Sequence, residues 1–454
     1  MDEEKNELIE KTEELTEETE ELTEETEELD EITEELVEEP IGETAEEKPE
    51  KTSGGAKRVI AWVLALCLAF GAGIGVTRIK KNGAEEAPQE VIPQEEVGEQ
   101  REEMKAKMPD LDAAYATHKP EEIVATIAGH DITWREYFYW LAYDADYIYY
   151  YLQTYYNYYG VNPDWTDAMD DEGTTFAQYV VEGAEMCIAQ QYILLDYAKE
   201  QGFTLSEEKL AEIDAEIEEY KLQNCGENAT EEDFAAFLAE QYSTPELFRT
   251  IVTNDYVFKG LFDFLYGERG ENVSDEDALA YLTDNGYEFH CNHILLLTMD
   301  MTTGEELDEE TVAQKKAQAD ELYAELSAIE DAEERVERFK ELKEEYCEDS
   351  GKTNFPDGYV FTAGMMVSVF EETTAELEDY QLSEPVQSEY GYHIILRLPA
   401  DPDATVDYSD EGTALSARML YADKTYGEYI STAIDEAVEN VVYADNMKGF
   451  DLFK

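Results

Sequence analysis

An uncharged run of eighteen residues, VIAWVLALCLAFGAGIGV, divides this chain near its amino terminus. It covers residues 59–76 and has basic residues on both sides. At about 1.5 Å per residue, a helix of this length can cross a hydrocarbon core of about 30 Å with modest help from its neighbours. A cleaved signal peptide is the alternative, but residues 1–56 are far too long for an ordinary n-region. The sequence therefore predicts one uncleaved membrane anchor over residues 57–80.

The segment before the anchor, residues 1–56, is acidic and repetitive. Its first fifty residues hold 25 acidic residues and three lysines. Leucine recurs every seven residues from position 8 to position 36, with threonine four residues later, which is formally a heptad pattern. Glutamate fills nearly all other positions, so repulsion between like charges favours a solvated low-complexity tail over a stable coiled coil. A scaffold that assembles partners through these heptads is a further possibility.

Acidic residues also dominate the whole chain, with 111 Asp and Glu against 32 Lys and Arg and a formal charge of −79. Such a surface repels phosphate backbones, so we expect no nucleic-acid partner. The five cysteines show neither a CxxC pair nor a Cys/His ligand spacing, which makes a zinc module unlikely, and we expect no cofactor. Nothing in their spacing requires a disulfide among the four that follow the anchor, which are Cys187, Cys225, Cys291 and Cys347.

Residues 81–120 contain four prolines and many acids, and we predict an acidic linker there. Residues 121–285 are predicted to be helical, after a short strand at 123–127 and a turn at Gly129. Helix starts are indicated by side chains that can cap a first turn. These residues are Thr133, Ser206, Thr230, Thr244 and Ser274.

Tyrosine is concentrated at the start of this helical region, where it makes up 11 of the 23 residues from 137 to 159. A tyrosine combines a large apolar ring with a polar tip, so an array of them can contact diverse unfolded chains. The alternative is a helix that packs on one side and leaves its phenol tips in water on the other, which suits the intermediate burial of tyrosine.

From residue 286 to residue 399 the pattern changes to mixed strands and helices. A strand with a buried centre is predicted at 287–297, and a second at 391–397. Amphipathic helices are predicted at 311–329, 332–346 and 366–377. The order β-α-α-β-α-β-β indicates a small antiparallel α+β domain with helices packed on its sheet.

Two histidines, His293 and His393, lie within the apolar strands of this region, and Asp349 follows the second helix. Two strands of one sheet could bring the imidazoles side by side. A buried histidine is most often a core group that has found hydrogen-bond partners. Two histidines in matching strands leave a structural role and a functional role both open. Residue spacing alone predicts no more than a buried polar cluster.

Four ordered motifs between residues 289 and 398 resemble those of parvulin-type peptidyl-prolyl isomerases. They are His-Ile-Leu-Leu at 293–296, Tyr-Cys-Glu-Asp-Ser at 346–350, Gly-Met-Met with Phe-Glu at 364–371, and Ser-Glu-Tyr-Gly-Tyr-His-Ile-Ile at 388–395. The family's Gly-Gly-Asp-Leu-Gly is here Phe-Pro-Asp-Gly-Tyr at 355–359, so a glycine stands where the family has a pocket leucine. The basic loop of phosphate-directed parvulins is also missing, because residues 297–300 lead into acids.

The flanking segments are similar to those of secreted foldases of the PrsA/SurA type. The match is Val-Ala-Thr-Ile-Ala-Gly-His-Asp-Ile-Thr at 124–133, which opens the helical region. The resemblance implies that residues 121–285 form a chaperone-like domain. It also implies that residues 400–454, with a helix around 412–440 and a strand at 441–443, return to that domain after the isomerase.

The resemblance further implies a site and an activity. The catalytic residues would be His293, Asp349, His393 and Ser388, and the substrate-binding residues would be Met366, Phe370 and Tyr390. The reaction is cis/trans isomerisation of X–Pro bonds in unfolded or secreted client polypeptides, which breaks no bond and requires neither nucleophile nor metal. The alternative is a non-catalytic holdase with a degenerate parvulin domain. Basic residues are nearly balanced across the anchor, so the extracytoplasmic position of residues 81–454 is inferred from this function and not from charge.

Overall fold

The computed structural model describes residues 103–170, 173–409 and 412–454. The predicted acidic tail (1–56), the membrane anchor (57–80) and the first part of the predicted linker lie outside the described residues. Within the described ranges, no helix is both long and apolar enough to cross a membrane.

Helices and strands alternate along the described chain in two blocks. The helices are α1 (Leu111–Tyr115), α2 (Trp134–Thr154), α3 (Phe176–Gln201), α4 (Glu207–Cys225), α5 (Glu231–Ala239), α6 (Pro245–Tyr266), α7 (Asp275–Asp284), α8 (Glu309–Ser327), α9 (Ala332–Tyr346), α10 (Ser368–Glu376) and α11 (Ala417–Glu439). The strands are β1 (Ile123–Ile127), β2 (His130–Thr133), β3 (Phe289–Leu297), β4 (Tyr359–Phe361), β5 (Val386–Gln387), β6 (Gly391–Arg397), β7 (Thr405–Tyr408), β8 (Ala414–Ser416) and β9 (Val442–Tyr443). A short π-helix, Tyr155–Tyr159, continues α2.

Side chains at the predicted capping positions begin the helices of the first block. In each case the capping hydroxyl accepts a hydrogen bond from the backbone N–H three residues later, which satisfies a donor that the helix cannot pair internally. The residues are Thr133, Ser206, Thr230, Thr244 and Ser274. All five predicted helix starts are therefore confirmed.

The helical domain, which we define as α1–α7, α11, β1, β2 and β9, is built around α2 and α3. Buried side chains of α2 such as Phe138 and Leu141 share one apolar core with Ile188 of α3. Helix α11 adds Tyr426 and Ile430 to the same core from the far end of the chain. Strand β9 then pairs antiparallel with β1 and completes a sheet of order β2-β1-β9. The last fifty residues thus pack on the first block.

The predicted linker is wrong for its described part, residues 103–120. Ala106 and Leu111 are 1% and 4% exposed and belong to the core of the helical domain. The indole Nε1 of Trp134 donates to the Tyr115 carbonyl at 2.8 Å, which fixes α1 against α2. The acidic composition of the whole 81–120 segment concealed the few apolar residues near its end that pack.

Tyrosines of α2 and of the π-helix after it divide between core and surface. Tyr137 is 2% exposed, whereas Tyr150 and Tyr159 are each 70% exposed. Tyr151 and Tyr155 lie between these extremes, and the hydroxyl of Tyr151 donates to that of Tyr155 at 2.7 Å. This agrees with the expectation of a helix that packs one side and leaves phenols in water on the other.

The second block is the sheet domain, which we define as β3–β6 with α8–α10. Its four strands are all antiparallel in the order β4-β3-β6-β5. Leu322 of α8 and Phe339 of α9 share a core with Ile294 and Ile394 on one face of the sheet. Phe370 of α10 packs on the other face with Cys291. The predicted α+β fold is confirmed, and the three predicted helices begin and end within two residues of their expected limits.

The two domains meet at the outer strand β4. Val360 of β4 lies in a buried cluster with Ala278 of α7 and Ala422 of α11. Strand β7 extends this junction, since the Tyr408 hydroxyl donates to the Asn354 carbonyl in the loop before β4. The loop that leads into β4 is therefore supported from outside the sheet domain.

Candidate active site

The pairing of β3 with β6 places the two strand histidines on one face of the sheet. His293 is opposite Ile395 and His393 is opposite Leu295, so the two imidazoles are diagonal neighbours on the face that α10 covers. Their ring centroids are 5.4 Å apart with an interplanar angle of 80°. The expectation that two strands bring these histidines side by side is confirmed.

Asp349 joins His293 from the segment that follows α9. Its Oδ2 lies 3.0 Å from Nε2 of His293, and its Oδ1 accepts the N–H of Gly351 at 3.0 Å. Burial alone would raise the pKa of Asp349, but the donors from His293, Tyr359 and Gly351 outweigh it and hold the pKa well below its usual range. Asp349 is thus an ionised acceptor, and Nε2 of His293 carries a proton.

The surroundings shift the pKa values of the two histidines in opposite directions. Burial would lower the pKa of His293, but the hydrogen bond to Asp349 and the neighbouring Cys347 together raise it. For His393, burial and then the adjacent His293 lower the pKa to about 3. His393 is therefore neutral at physiological pH, and its Nε2 lies 2.6 Å from Oγ of Ser388. The backbone N–H of Tyr390 donates to the same Oγ at 3.1 Å, which orients the serine hydroxyl.

An aromatic floor lies directly beside the imidazoles. The Phe370 ring is 2% exposed and stands edge-on to both histidines, at 5.1 Å from His293 and 5.4 Å from His393. Met366 is half-buried against the same cluster, and its neighbour Met365 is 62% exposed. Five of the side chains expected from sequence (His293, Asp349, His393, Met366 and Phe370) therefore lie together, and Ser388 adjoins them through His393.

The structure does not bring the ring of Tyr390 to this group. That ring packs against the core on the other face of the sheet, beneath α8 and α9. Its contribution to the site is the backbone N–H that reaches Ser388. Tyr390 lies in the turn before β6, where strand alternation does not determine which face a side chain takes.

Tyr359 is a site residue that sequence reasoning missed. Its hydroxyl donates to Oδ2 of Asp349 at 2.7 Å, and its ring stacks on His293 with centroids 5.5 Å apart. The residue before it, Gly358, has φ +109°, and a Cβ there would meet the Cys291 carbonyl oxygen at 2.5 Å. Position 358 therefore has no room for a side chain, and Tyr359 follows it directly. The alternation of Tyr359 and Phe361 about Val360 was the available signal.

A buried lysine holds the loop that leads to Tyr359. Lys343 is 4% exposed, and its Nζ donates to the carbonyls of Phe355 at 2.9 Å and Pro356 at 3.2 Å. Burial lowers the pKa of Lys343. In the described ranges, no three His, Cys, Asp or Glu side chains are grouped to hold a metal ion, and none of the four cysteines there forms a disulfide.

Comparison with known proteins places this geometry in a family. The family described as "Rotamase: PPIC-type PPIASE domain" matches residues 293–398, which contain both histidines, Asp349 and Phe370. The foldase protein PrsA of Halalkalibacterium halodurans is 33% identical over 189 residues, 41% of this chain and 49% of that protein. The PrsA of Oceanobacillus iheyensis is 30% identical over 228 residues, 50% of this chain and 67% of that protein.

The crystal structure of PrsA from Bacillus subtilis aligns with 63% of this chain and 92% of its own, at 20% identity and a TM-score of 0.22. The chain spans about half the length of the first relative named above and two thirds of the second. The predicted resemblance is confirmed. This chain belongs to the PrsA family of foldases and contains a parvulin-type peptidyl-prolyl cis/trans isomerase domain.

Proposed function

We propose that this chain is a membrane-anchored, extracytoplasmic foldase that isomerises X–Pro bonds in unfolded client polypeptides. The observation that carries the proposal is the convergence of His293, His393 and Asp349 around the Phe370 ring. The family relationship supports the reaction, and the uncharged run at 59–76 supports the anchor. The proposal also includes unfolded polypeptides as clients and the position of the chain in the membrane.

The chemistry requires only that the amide lose its resonance. Rotation about X–Pro has a barrier of about 18–20 kcal/mol, and the uncatalysed exchange takes tens to hundreds of seconds. An apolar seat favours the twisted amide, which is less polar than the planar one, so it binds the transition state better than the ground state. Phe370 and Met366 form this seat for the proline ring.

The imidazoles supply the polar part of the site. His293 has a fixed proton on Nε2 because Asp349 accepts it, and its raised pKa favours the cation. His393 stays neutral beside it and is held by Ser388. Two rings at right angles, whose pKa values are shifted in opposite directions, lie next to an apolar seat and form a preorganised field that can stabilise charge that shifts on the rotating amide.

Refolding of a protein limited by an X–Pro bond tests this function. The full-length chain should accelerate the slow phase, and Asp349→Ala should reduce the acceleration about tenfold without abolishing it, because the apolar seat remains. Tyr408→Phe is a control that removes a β7 hydroxyl bonded to the Asn354 carbonyl of the loop before β4, without a contact to Asp349. A slow phase equal to that in buffer for all three proteins would refute the isomerase function.

The membrane position has its own test. Protease added to intact cells should digest residues 81–454 and leave residues 1–56 protected. Protection of both segments, or digestion of only the amino-terminal segment, would refute the proposed orientation.

A second candidate function is a holdase, and the exposed tyrosines favour it. Tyr150 and Tyr159 leave most of their surface in water at one end of the helical domain. Suppression of client aggregation that survives His293→Ala and falls in a Tyr150→Ser/Tyr159→Ser variant would support it. Deletion of the whole tyrosine-rich segment is not a usable test, because Tyr137, Phe138 and Leu141 within it are buried in the core.

A further inference from the structure

The carboxylate of Asp349 is almost fully occupied by donors of its own domain. Oδ2 accepts from both His293 and Tyr359, at 3.0 and 2.7 Å, and Oδ1 accepts from the Gly351 N–H at 3.0 Å. A carboxylate offers about four acceptor sites, so three are already used. The side chain is only 19% exposed. The His293 side chain is still more buried, at 9% exposed, so it is the three donors that leave Asp349 little capacity to bind a peptide directly.

Tyr359 reaches Asp349 along the surface of the His293 ring. Strand β4 places Tyr359 opposite Cys291, on the same face as the histidines. Its ring lies nearly parallel to His293, with an interplanar angle of 28°. Burial, followed by the hydrogen bond to Asp349, raises the pKa of Tyr359, so the phenol remains a donor.

Gly351 leaves the space that the phenol hydroxyl needs. A Cβ at this position would lie 2.0 Å from the Tyr359 hydroxyl oxygen, and no other described group comes closer than 3.2 Å. The backbone of Gly351 is a turn of 3-10 helix, which alanine can adopt. The contact between Tyr359 and Asp349 therefore depends on the absence of a side chain at Gly351.

We propose that Tyr359 is a positioning residue for the isomerase reaction. Its hydroxyl holds Asp349 as an anion in the single orientation that fixes His293, and Asp349 acts through His293 without contacting the peptide. This inference rests on the proposed function of His293, but it concerns a tyrosine that the family motif does not contain. Tyr359 stands in the Phe-Pro-Asp-Gly-Tyr loop, where the family has Gly-Gly-Asp-Leu-Gly.

The direct test is Tyr359→Phe in the full-length chain, with Tyr408→Phe as the control. Loss of a hydrogen bond to an ionised group should raise the pKa of Asp349 by about one unit or more, measured by carbonyl NMR titration. The value of kcat/KM for a proline peptide should fall about three- to tenfold, mainly through kcat, because His293 loses its orientation. Tyr408→Phe should change neither quantity.

A second variant tests the same contact from its other side. Gly351→Ala should displace the hydroxyl and reproduce both effects of Tyr359→Phe. In the double variant, Gly351→Ala should cost less than it does alone, because the hydroxyl is already missing and only the ring carbon at 3.2 Å remains close. Effects of the two substitutions that multiply would overturn the inference, as would an Asp349 pKa that Tyr359→Phe leaves unchanged.

Failure of this inference is distinguishable from failure of the proposed function. If Asp349→Ala and His293→Ala lower kcat/KM while Tyr359→Phe changes neither the Asp349 pKa nor the rate, only the role of Tyr359 is lost. If His293→Ala and Asp349→Ala retain the full rate, the proposed catalytic site is wrong, and with it the role of Tyr359. The NMR titration still reports the Tyr359–Asp349 contact in that case, because it does not depend on activity.

Discussion

The sheet domain and the helical domain each bury one lysine, but their other buried ionisable groups are of opposite kinds. The sheet domain buries two imidazoles that lie edge to face, with His293 paired to a carboxylate. The helical domain buries carboxyl groups that have no cation beside them. Glu185 is 5% exposed and accepts hydrogen bonds from the hydroxyls of Tyr137 and Tyr443. Asp144 is 7% exposed and packs against Gly183 of α3.

Because of this difference, protonation of the buried groups has opposite effects on the stability of the two folded domains. Burial raises the pKa of Glu185 to about 7 and raises that of Asp144 as well, so the folded helical domain favours the protonated acids. In the sheet domain, burial lowers the pKa of His393 to about 3, so the folded state favours the neutral ring. In the sheet domain, the buried polar groups of the site contact one another. In the helical domain, a buried polar group connects segments of the chain, as Glu185 connects α3 to β9.

The largest expected effect comes from removing the shared apolar floor of the site. Phe370→Ala should lower the free energy of unfolding of the sheet domain by about 3–5 kcal/mol, as buried phenylalanines typically do. Activity should fall at least as far as in any of the polar variants, because the proline seat and the packing of both imidazoles are lost together. Hydrogen exchange of the β3 and β6 amides measures the stability loss.

The matched substitution in the helical domain is Phe138→Ala, since Phe138 is fully buried. It should cost a similar free energy but act on the other domain. Trp134, Trp140 and Trp165 lie there, and the sequence has no tryptophan between residues 286 and 399, so tryptophan fluorescence in a Trp62→Phe background reports the helical domain. If Phe370→Ala moves the fluorescence transition as far as Phe138→Ala does, the comparison between separate domains fails.

A smaller effect is expected from pH. Between pH 7 and pH 5 the unfolded chain protonates histidine at its ordinary value of 6.5, whereas folded His393 stays neutral, which costs the sheet domain about 2 kcal/mol. The raised pKa of His293 acts in the opposite direction and reduces this loss. Exchange of the β3 and β6 amides, corrected for the intrinsic effect of pH, measures it.

The helical domain should respond to the same pH change with the opposite sign. Glu185 has a folded pKa of about 7 against an ordinary 4.5, so its protonation stabilises the folded state by about 2 kcal/mol on going from pH 7 to pH 5. Denaturant unfolding followed by tryptophan fluorescence measures this gain, and Glu185→Gln should remove most of it. An equal gain in Glu185→Gln would show that other groups are responsible.

The smallest expected effect is that of an exposed tyrosine. Tyr150→Ser should change the free energy of unfolding by no more than about 0.5 kcal/mol, because the side chain is 70% exposed. The isomerase rate should stay unchanged as well. Reduced suppression of client aggregation with unchanged stability would assign a binding role to this surface.

The sequence was sufficient for those features that local chemistry determines. Capping residues such as Thr133 and Thr244 located helix starts because their side chains satisfy N–H groups that any helix leaves unpaired. The two predicted strands indicated that His293 and His393 could lie side by side, and the position of Asp349 after α9 followed from the motif. These features depend on neighbours in the chain or on one strand pair.

Features that depend on tertiary contacts were not available from the sequence. The approach of Gly358 to the Cys291 backbone brings Tyr359 into the site, and no local pattern reveals that contact. The ring of Tyr390 turned to the other face because a turn residue follows no strand period. Ala106 and Leu111 pack because the helical domain offers them a surface, although their segment is acidic overall.

A double-mutant cycle on kcat/KM for a proline-containing peptide tests the central claim, that the two imidazoles and the carboxylate act as one site. Wild type, His293→Ala, Asp349→Ala and the double variant of the full-length chain are compared. We predict that each single variant loses about tenfold and that the double variant is no worse than the poorer single, because Asp349 acts through His293. Single variants with wild-type activity, or losses that multiply in the double variant, would contradict the account.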